Sequence, residues 1–288
     1  MIYSTPLRYP GGKSKLSNFM RLVFKENNLI DVHYIEPYAG GAGVAFHLLF
    51  SGYASHIHIN DLNKSIYTFW QAVLEDTDNM CRLIHDTSVN IDNWLRQKEV
   101  QAHPEQHSTL ELGFSTFFLN RTNRSGIISG GVIGGKNQDG PWKLDSRYNK
   151  TSLISRIEKI SRFSNHITVY NQDAAEFFTE VIPTLPLQSI VYLDPPYYSK
   201  GNDLYENHYR YDDHIIISNL VGNISQKWIV SYADTPEVRE MYQQYRNMPY
   251  KLSYSAAERY KGSEIMFFSD SLIIPTVDNP AKVQAVSV

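Results

Sequence analysis

VHYIEPYAGGAGVAFHLLFSG, residues 32–52, decides the fold. VHYIE has the apolar and aromatic content of a strand. A glycine turn follows it, and VAFHLLF then reads as an apolar helix closed by Gly52. HIHIND (56–61) is a short alternating strand ending in Asp61, and KSIYTFWQAVL (64–74) is the next helix. This β–α–β–α order implies a parallel sheet. A glycine turn between strand and helix lets backbone approach a ligand and points N–H groups at it. Asp61 follows at about the spacing where an acid accepts hydrogen bonds from ribose hydroxyls. The pattern is that of nucleoside sites in general, not the G-x-G-x-x-G fingerprint.

Outward from this core the alternation continues. Residues 14–27 space Leu16, Phe19, Met20 and Phe24 as one helical face. SLISRIEKISRF reads as a helix, HITVYNQD as a strand ending in acid and AAEFFTEVI as a helix. SIVYLDPPY is the next strand, followed by the helix HIIISNLVGNI, the strand KWIVSYAD and a late strand EIMFFSDSLII. The tail 276–288 reads as loose. Two regions differ in character. Residues 76–112 are polar with helical stretches. Residues 120–150 are rich in glycine and carry Arg121, Arg124, Lys136, Lys143, Arg147 and Lys150 against Asp139 and Asp145, six cations less two anions or +4. A connection that long usually has a function.

The 288 residues allow one large domain, or one with a substantial insertion. Net charge −3 excludes a global basic field but not a local basic patch. One cysteine, Cys81, excludes an internal disulfide and a multi-cysteine zinc site, and no metal is expected. The opening MIYSTPLRYPGGKSK has no apolar core of a signal peptide, and no run of about 18 apolar residues appears. A cytoplasmic protein without a membrane span is expected. PGGKS (10–14) fails as a P-loop, because Leu7 stands where that motif needs glycine; it reads as a helix-entry turn, or as a turn that brings Lys13 against a carboxylate or phosphate.

The chemistry concentrates at IVYLDPPYY (190–198). Two prolines forbid helix and interior strand, and the residue before a proline is held extended. Asp194 therefore ends a buried strand, and the chain leaves it stiff. An exocyclic aromatic amine is a poor nucleophile because its lone pair is delocalised into the ring. A carboxylate and a prolyl carbonyl, each accepting one N–H, bias that nitrogen toward tetrahedral geometry. Tyr197 can stack on the base. A paired base cannot reach such a site and must flip out.

RYPGGK (8–13), EPYAGGAG (36–43), INDLN (59–63), NQDAAEF (171–177), DPPYYSKG (194–201) and ERYKGSEIMFFS (258–269), in this order, resemble the DNA adenine-N6 methyltransferases whose glycine motif precedes DPPY. FFLNRTNRSG (117–126) looks like that family's target-recognition region. The resemblance implies an α/β fold: an S-adenosylmethionine-dependent methyltransferase (Rossmann-like) sheet, formed by 1–76 and 151–275, with an inserted, mostly helical DNA-recognition domain at 77–150. It implies S-adenosylmethionine as cofactor, with Tyr9 and Lys13 near its methionine part, Tyr38, Ala39 and Gly40 around it, Asp61 on the ribose and Asp173 at the adenine amine. Asp194 and Pro195 would receive the target N6, with Pro196 completing the catalytic motif and Tyr197 stacked on the flipped base. The partner would be duplex DNA, met by Asn120, Arg121, Asn123, Arg124, Arg259 and Lys261. The first four suit base edges or phosphates, with a phosphate-only or structural role as the competing reading; a solvated hairpin competes for the last two, and a helix cap for Asp173. One departure stands out: Ala42 occupies the position of the family's last glycine.

Rival readings are methylation of cytosine N4 or of RNA adenine, and a DNA binder that keeps the fold without catalysis. A restriction endonuclease as functional companion fits the family, and a monomer is expected.

Overall fold

The computed structural model describes residues 4–9, 11–196, 210–253 and 261–284. In chain order the elements are α1 (Ser17–Glu26), β1 (Val32–Glu36), α2 (Gly43–Phe50), β2 (Ala54–Asn60), α3 (Lys64–Glu75), α4 (Thr77–Asp86), α5 (Ile91–Ala102), α6 (Thr109–Thr122), α7 (Lys150–Ser161), β3 (Ile167–Tyr170), α8 (Ala174–Glu176), β4 (Ser189–Leu193), α9 (Tyr211–Asn223), β5 (Lys227–Ala233), α10 (Pro236–Met241), β6 (Arg246–Ser253) and β7 (Lys261–Phe268). They group into two compact units: Lys13–Leu62 with His166–Val288, and Met1–Gly12 with Asn63–Asn165.

The first unit is built on a seven-stranded sheet in the order β3-β2-β1-β4-β5-β7-β6. β1 pairs parallel with β2 and β4, β2 with β3, and β4 with β5. β7 is antiparallel to both β5 and β6. The sequence reading marks no strand over 246–253, a stretch that contains Pro249. The structure places it at the sheet edge, where a missing N–H costs no ladder bond. On one face Ile35, Val191, Leu193, Val230 and Phe267 pack with Phe177, Ile217, Val221 and Val238. On the other, the Phe24 ring of α1 meets Tyr34 at 6.2 Å. Covering both faces explains why SIVYL is a continuous apolar run, buried throughout. Strands run outward from β1 on both sides, so the order reverses between β1 and β4. The carboxyl ends there form the crevice where open α/β sheets bind ligands.

The helical unit centres on α6, which is buried on nearly every side. A capping box of Ser108 and Glu111 starts it. Phe117 stacks on Phe69 of α3 with ring centres 6.0 Å apart. A Cβ at Gly113 would stand 2.8 Å from the Ala72 Cβ, so α3 and α6 touch closely. This unit is larger than the segment 77–150 expected for the insertion. It takes in α3, most of α7 and the amino-terminal segment, because an all-round apolar helix needs cover on every face.

Candidate active site

The glycine turn after β1 is held from both ends. Ala39 N donates to Asn60 O (2.9 Å), and Gly40 N donates to Asp61 Oδ2 (2.8 Å). Gly40 and Ala42 both have φ +47°. Ala42 thus sits in the left-handed region at the entry to α2, the conformation that makes glycine the common choice there. Tyr38 packs against the core cluster, and Ala39 is buried. Asp61 lies directly beyond β2, its backbone N–H on Tyr170 O (3.2 Å). Asp173 caps α8, its Oδ1 accepting from Ala175 N (2.8 Å).

Behind the turn, Glu36 is fully enclosed. Its Oε1 accepts from Tyr34 Oη (3.1 Å) and from Ala45 N (3.2 Å). Burial raises its pKa to about 8, more than these bonds offset. It ties β1 to the first turn of α2. The sequence reading passes over Glu36, although an acid amid apolar residues before Pro37 is the available signal.

Asp194 stands beyond β4. Lys13 Nζ donates to both carboxylate oxygens, Oδ1 at 2.8 Å and Oδ2 at 2.9 Å. Ser231 Oγ of β5 donates to Oδ1 at 3.0 Å, and Tyr192 Oη lies 2.9 Å from Ser231 Oγ. With the Ser231 proton on Asp194, Tyr192 is the donor, giving a chain Tyr192–Ser231–Asp194. Desolvation raises the Asp194 pKa, and Lys13 and Ser231 oppose it. The ammonium also lies 4.0 Å from Glu264 Oε2, and the Lys13 side chain is 2% exposed. Lys13, expected near the cofactor's methionine part, engages the Asp194 carboxylate. Ser231 goes unmarked in the sequence reading, although a serine inside the apolar and aromatic run WIVSYA is the available signal. Pro195 is buried and Pro196 half-buried; Tyr197 and Arg259 lie outside the described residues. Tyr9, in the helical unit, is 37% exposed. Lys261 opens β7.

The expected DNA contacts divide. Asn120 and Asn123 are buried, 1% and 0% exposed. Asn120 Oδ1 accepts from Arg8 N (2.8 Å), and its Nδ2 donates to Arg8 O (2.6 Å) and Gly126 O (2.8 Å). Asn123 Oδ1 accepts from Trp94 Nε1 (2.7 Å), and its Nδ2 donates to Ile127 O and Ile128 O (both 2.9 Å). Reading a base edge requires amide groups that these two spend inside the fold, which favours the structural reading of both. Arg121 is half-buried and Arg124 exposed. No helix among the described residues is long and apolar enough to cross a membrane.

Comparison with known proteins agrees with this geometry. The chain is 25% identical over 212 residues to the type II methyltransferase M.MjaIII of Methanocaldococcus jannaschii, covering 66% of this chain and 68% of that one. It is 22% identical over 236 residues to the type II methyltransferase M.CviBI of Paramecium bursaria Chlorella virus NC1A, covering 77% and 80%. A solved structure from Pyrococcus horikoshii, provisionally named an RNA methyltransferase, overlays with TM-score 0.44 at 13% identity over 91% of this chain and 86% of that one, too distant to inform the site. The D12 class N6 adenine-specific DNA methyltransferase family matches residues 9–256. With a mixed, largely parallel sheet whose order reverses between β1 and β4 and a carboxylate-Pro-Pro at that edge, this chain belongs to the D12 class N6 adenine-specific DNA methyltransferases.

Proposed function

We propose that the crevice at the carboxyl ends of β1, β2, β3 and β4 binds S-adenosylmethionine beside a flipped adenine, and that Asp194 with the Pro195 carbonyl receives the adenine N6 amine. The observation that carries this reading is the Asp194 carboxylate with its three donor contacts. A carboxylate offers about four acceptor positions. The Lys13 and Ser231 contacts leave about one, on Oδ2, enough for a single N–H. Lys13 favours the ionised form, and only that form has Oδ2 available as an acceptor without a competing proton.

Asp61 and the turn at Tyr38–Gly40 suit the cofactor: an acid at a strand end for ribose hydroxyls, and a turn whose backbone can approach closely. Asp173 would meet the adenine moiety, in addition to capping α8. Bound there, S-adenosylmethionine supplies an electrophilic methyl group. The protein's own task is positional. Asp194 and Pro195 hold the two N6 hydrogens so that the nitrogen lone pair points out of the ring plane. Flipping brings the base out of the duplex to reach them. The type II names of the relatives favour a restriction endonuclease as the companion activity.

Calorimetric titration with S-adenosylmethionine tests the division of labour. D61A loses cofactor affinity by about tenfold or more, the scale of one or two charge-assisted hydrogen bonds. D194A binds the cofactor while losing methyl transfer. Undiminished cofactor binding by D61A would remove Asp61 from the site.

A further inference from the structure

Four arginines of the helical unit gather at its amino-terminal segment. Arg156 Nη1 donates to Thr5 O (3.0 Å), and Arg121 Nη1 donates to Pro6 O (3.3 Å). Arg121 Nε donates to Arg147 O (2.7 Å), and Arg8 Nη1 donates to Asn123 O (3.1 Å). Asn120 grips the backbone of Arg8 from both sides, fixing where that side chain begins. Among the described residues no ion pair joins Arg8, Arg121 or Arg147 to a carboxylate. Arg8 and Arg121 donate to carbonyls, which carry partial charge only. The groups repel one another. Burial, then Arg8 and Arg156, push Arg121 down to about 9, and burial with Arg147 lowers Arg8.

A chain of net charge −3 has acids enough to neutralise such a cluster, yet among the described residues none forms an ion pair with these three. Partly desolvated guanidinium groups without a counter-ion raise the energy of the free protein. An arriving anion recovers that energy, and a planar guanidinium fork matches phosphate geometry. We propose that Arg8, Arg121, Arg147 and Arg156 form a phosphodiester-binding site that grips the DNA backbone whatever the base sequence. The inference deepens the DNA-methyltransferase reading and rests on it. It also gives Asn120 and Asn123 their purpose: they build the frame that sets the arginines, and the arginines meet the DNA.

Phosphate contacts leave a signature that base contacts and structural roles do not. Each one displaces condensed counter-ions, so log K falls against log salt with a slope of about −0.9 per phosphate. Binding of a random-sequence duplex is measured by fluorescence anisotropy across a salt series, for wild type, R147Q and the double variant R8Q/R147Q. R147Q is informative because Arg121 holds the Arg147 carbonyl, which the substitution keeps. The slope becomes shallower by about one for R147Q and about two for the double variant. The melting temperature of R147Q stays level or rises, since a repulsion is removed. Wild-type slope and affinity in both variants would overturn the proposal. So would a loss confined to one DNA sequence with the slope intact, which marks base readout. Failure of the wild type itself to bind or methylate DNA would instead strike the reading beneath.

Discussion

Ala42 shows how a single residue departs from its local optimum. A side chain at φ +47° costs about 1 kcal/mol or more, and glycine avoids that cost. A42G should therefore raise unfolding free energy by up to ~1 kcal/mol, less the chain entropy that glycine adds, as read by urea denaturation. Loss of stability would mean that the Ala42 methyl packing outweighs the strain. The deviation from the family's glycine is visible in the sequence; its left-handed backbone is not. Lys13 is the second residue with a distinct test. Burial raises the Asp194 pKa and Lys13 lowers it, so K13M lifts it further. The carboxylate is then lost to protonation at higher pH, and the acid limb of kcat moves upward while D194N shows no such limb. An unmoved limb would detach Lys13 from the role assigned to it. The lysine's sequence position suggests contact with a ligand; that it reaches Asp194, 181 residues away, depends on the folding of the whole sheet.

At the scale of elements, the repeated strand–turn–helix punctuation was legible because the fully buried β4 is a continuous apolar run, β2 alternates, and the strand ends are marked by Asp61, Asp173 and Asp194. β6 was not, since edge strands tolerate proline and need no apolar run. Nor was the turn that follows α6. NRTNRSG reads as polar and exposed, but the apolar run FSTFFL carries the helix, with Asn120 on it, deep into its unit. Gly126 is the pivot of that turn. Its φ is +82°, and a Cβ there would lie 2.5 Å from Arg8 O. G126A combines an unfavourable backbone with a backbone clash and should destabilise by about 2 kcal/mol or more. Because Asn120 Nδ2 bonds both Gly126 O and Arg8 O, the same variant should also weaken DNA binding. A G126A protein with wild-type melting temperature would mean that the segment relaxes freely.

For the whole molecule, pH links the fold to a histidine cluster on β1 and β2, with His58 buried and His33 and His56 half-buried. His33 Nδ1 meets His58 Nε2 at 2.9 Å, His58 Nδ1 meets Tyr170 Oη at 3.0 Å, and His56 lies beside both histidines on the same sheet face. Burial, then His56 and His33, hold the His58 pKa down to about 3, against an ordinary value of 6.5. The unfolded chain therefore binds a proton that the folded chain refuses, and stability falls as pH drops from about 6.5 toward 3. His33 and His56 are shifted the same way, and Asp31 opposes the shift at His33. H58Q should lose less melting temperature between pH 7 and pH 4.5 than wild type; an equal loss would place the acid sensitivity elsewhere. No element of this cluster enters the proposed chemistry. That chemistry rests on the crevice between β1 and β4, which the sequence places through DPPY and the glycine turn. The most direct measurement incubates wild type and D194A with methyl-labelled S-adenosylmethionine and mixed-sequence duplex DNA, then digests to nucleosides. Label in N6-methyladenine with wild type, and none with D194A, is the result predicted. Label in N4-methylcytosine, or equal labelling by D194A, would contradict the account.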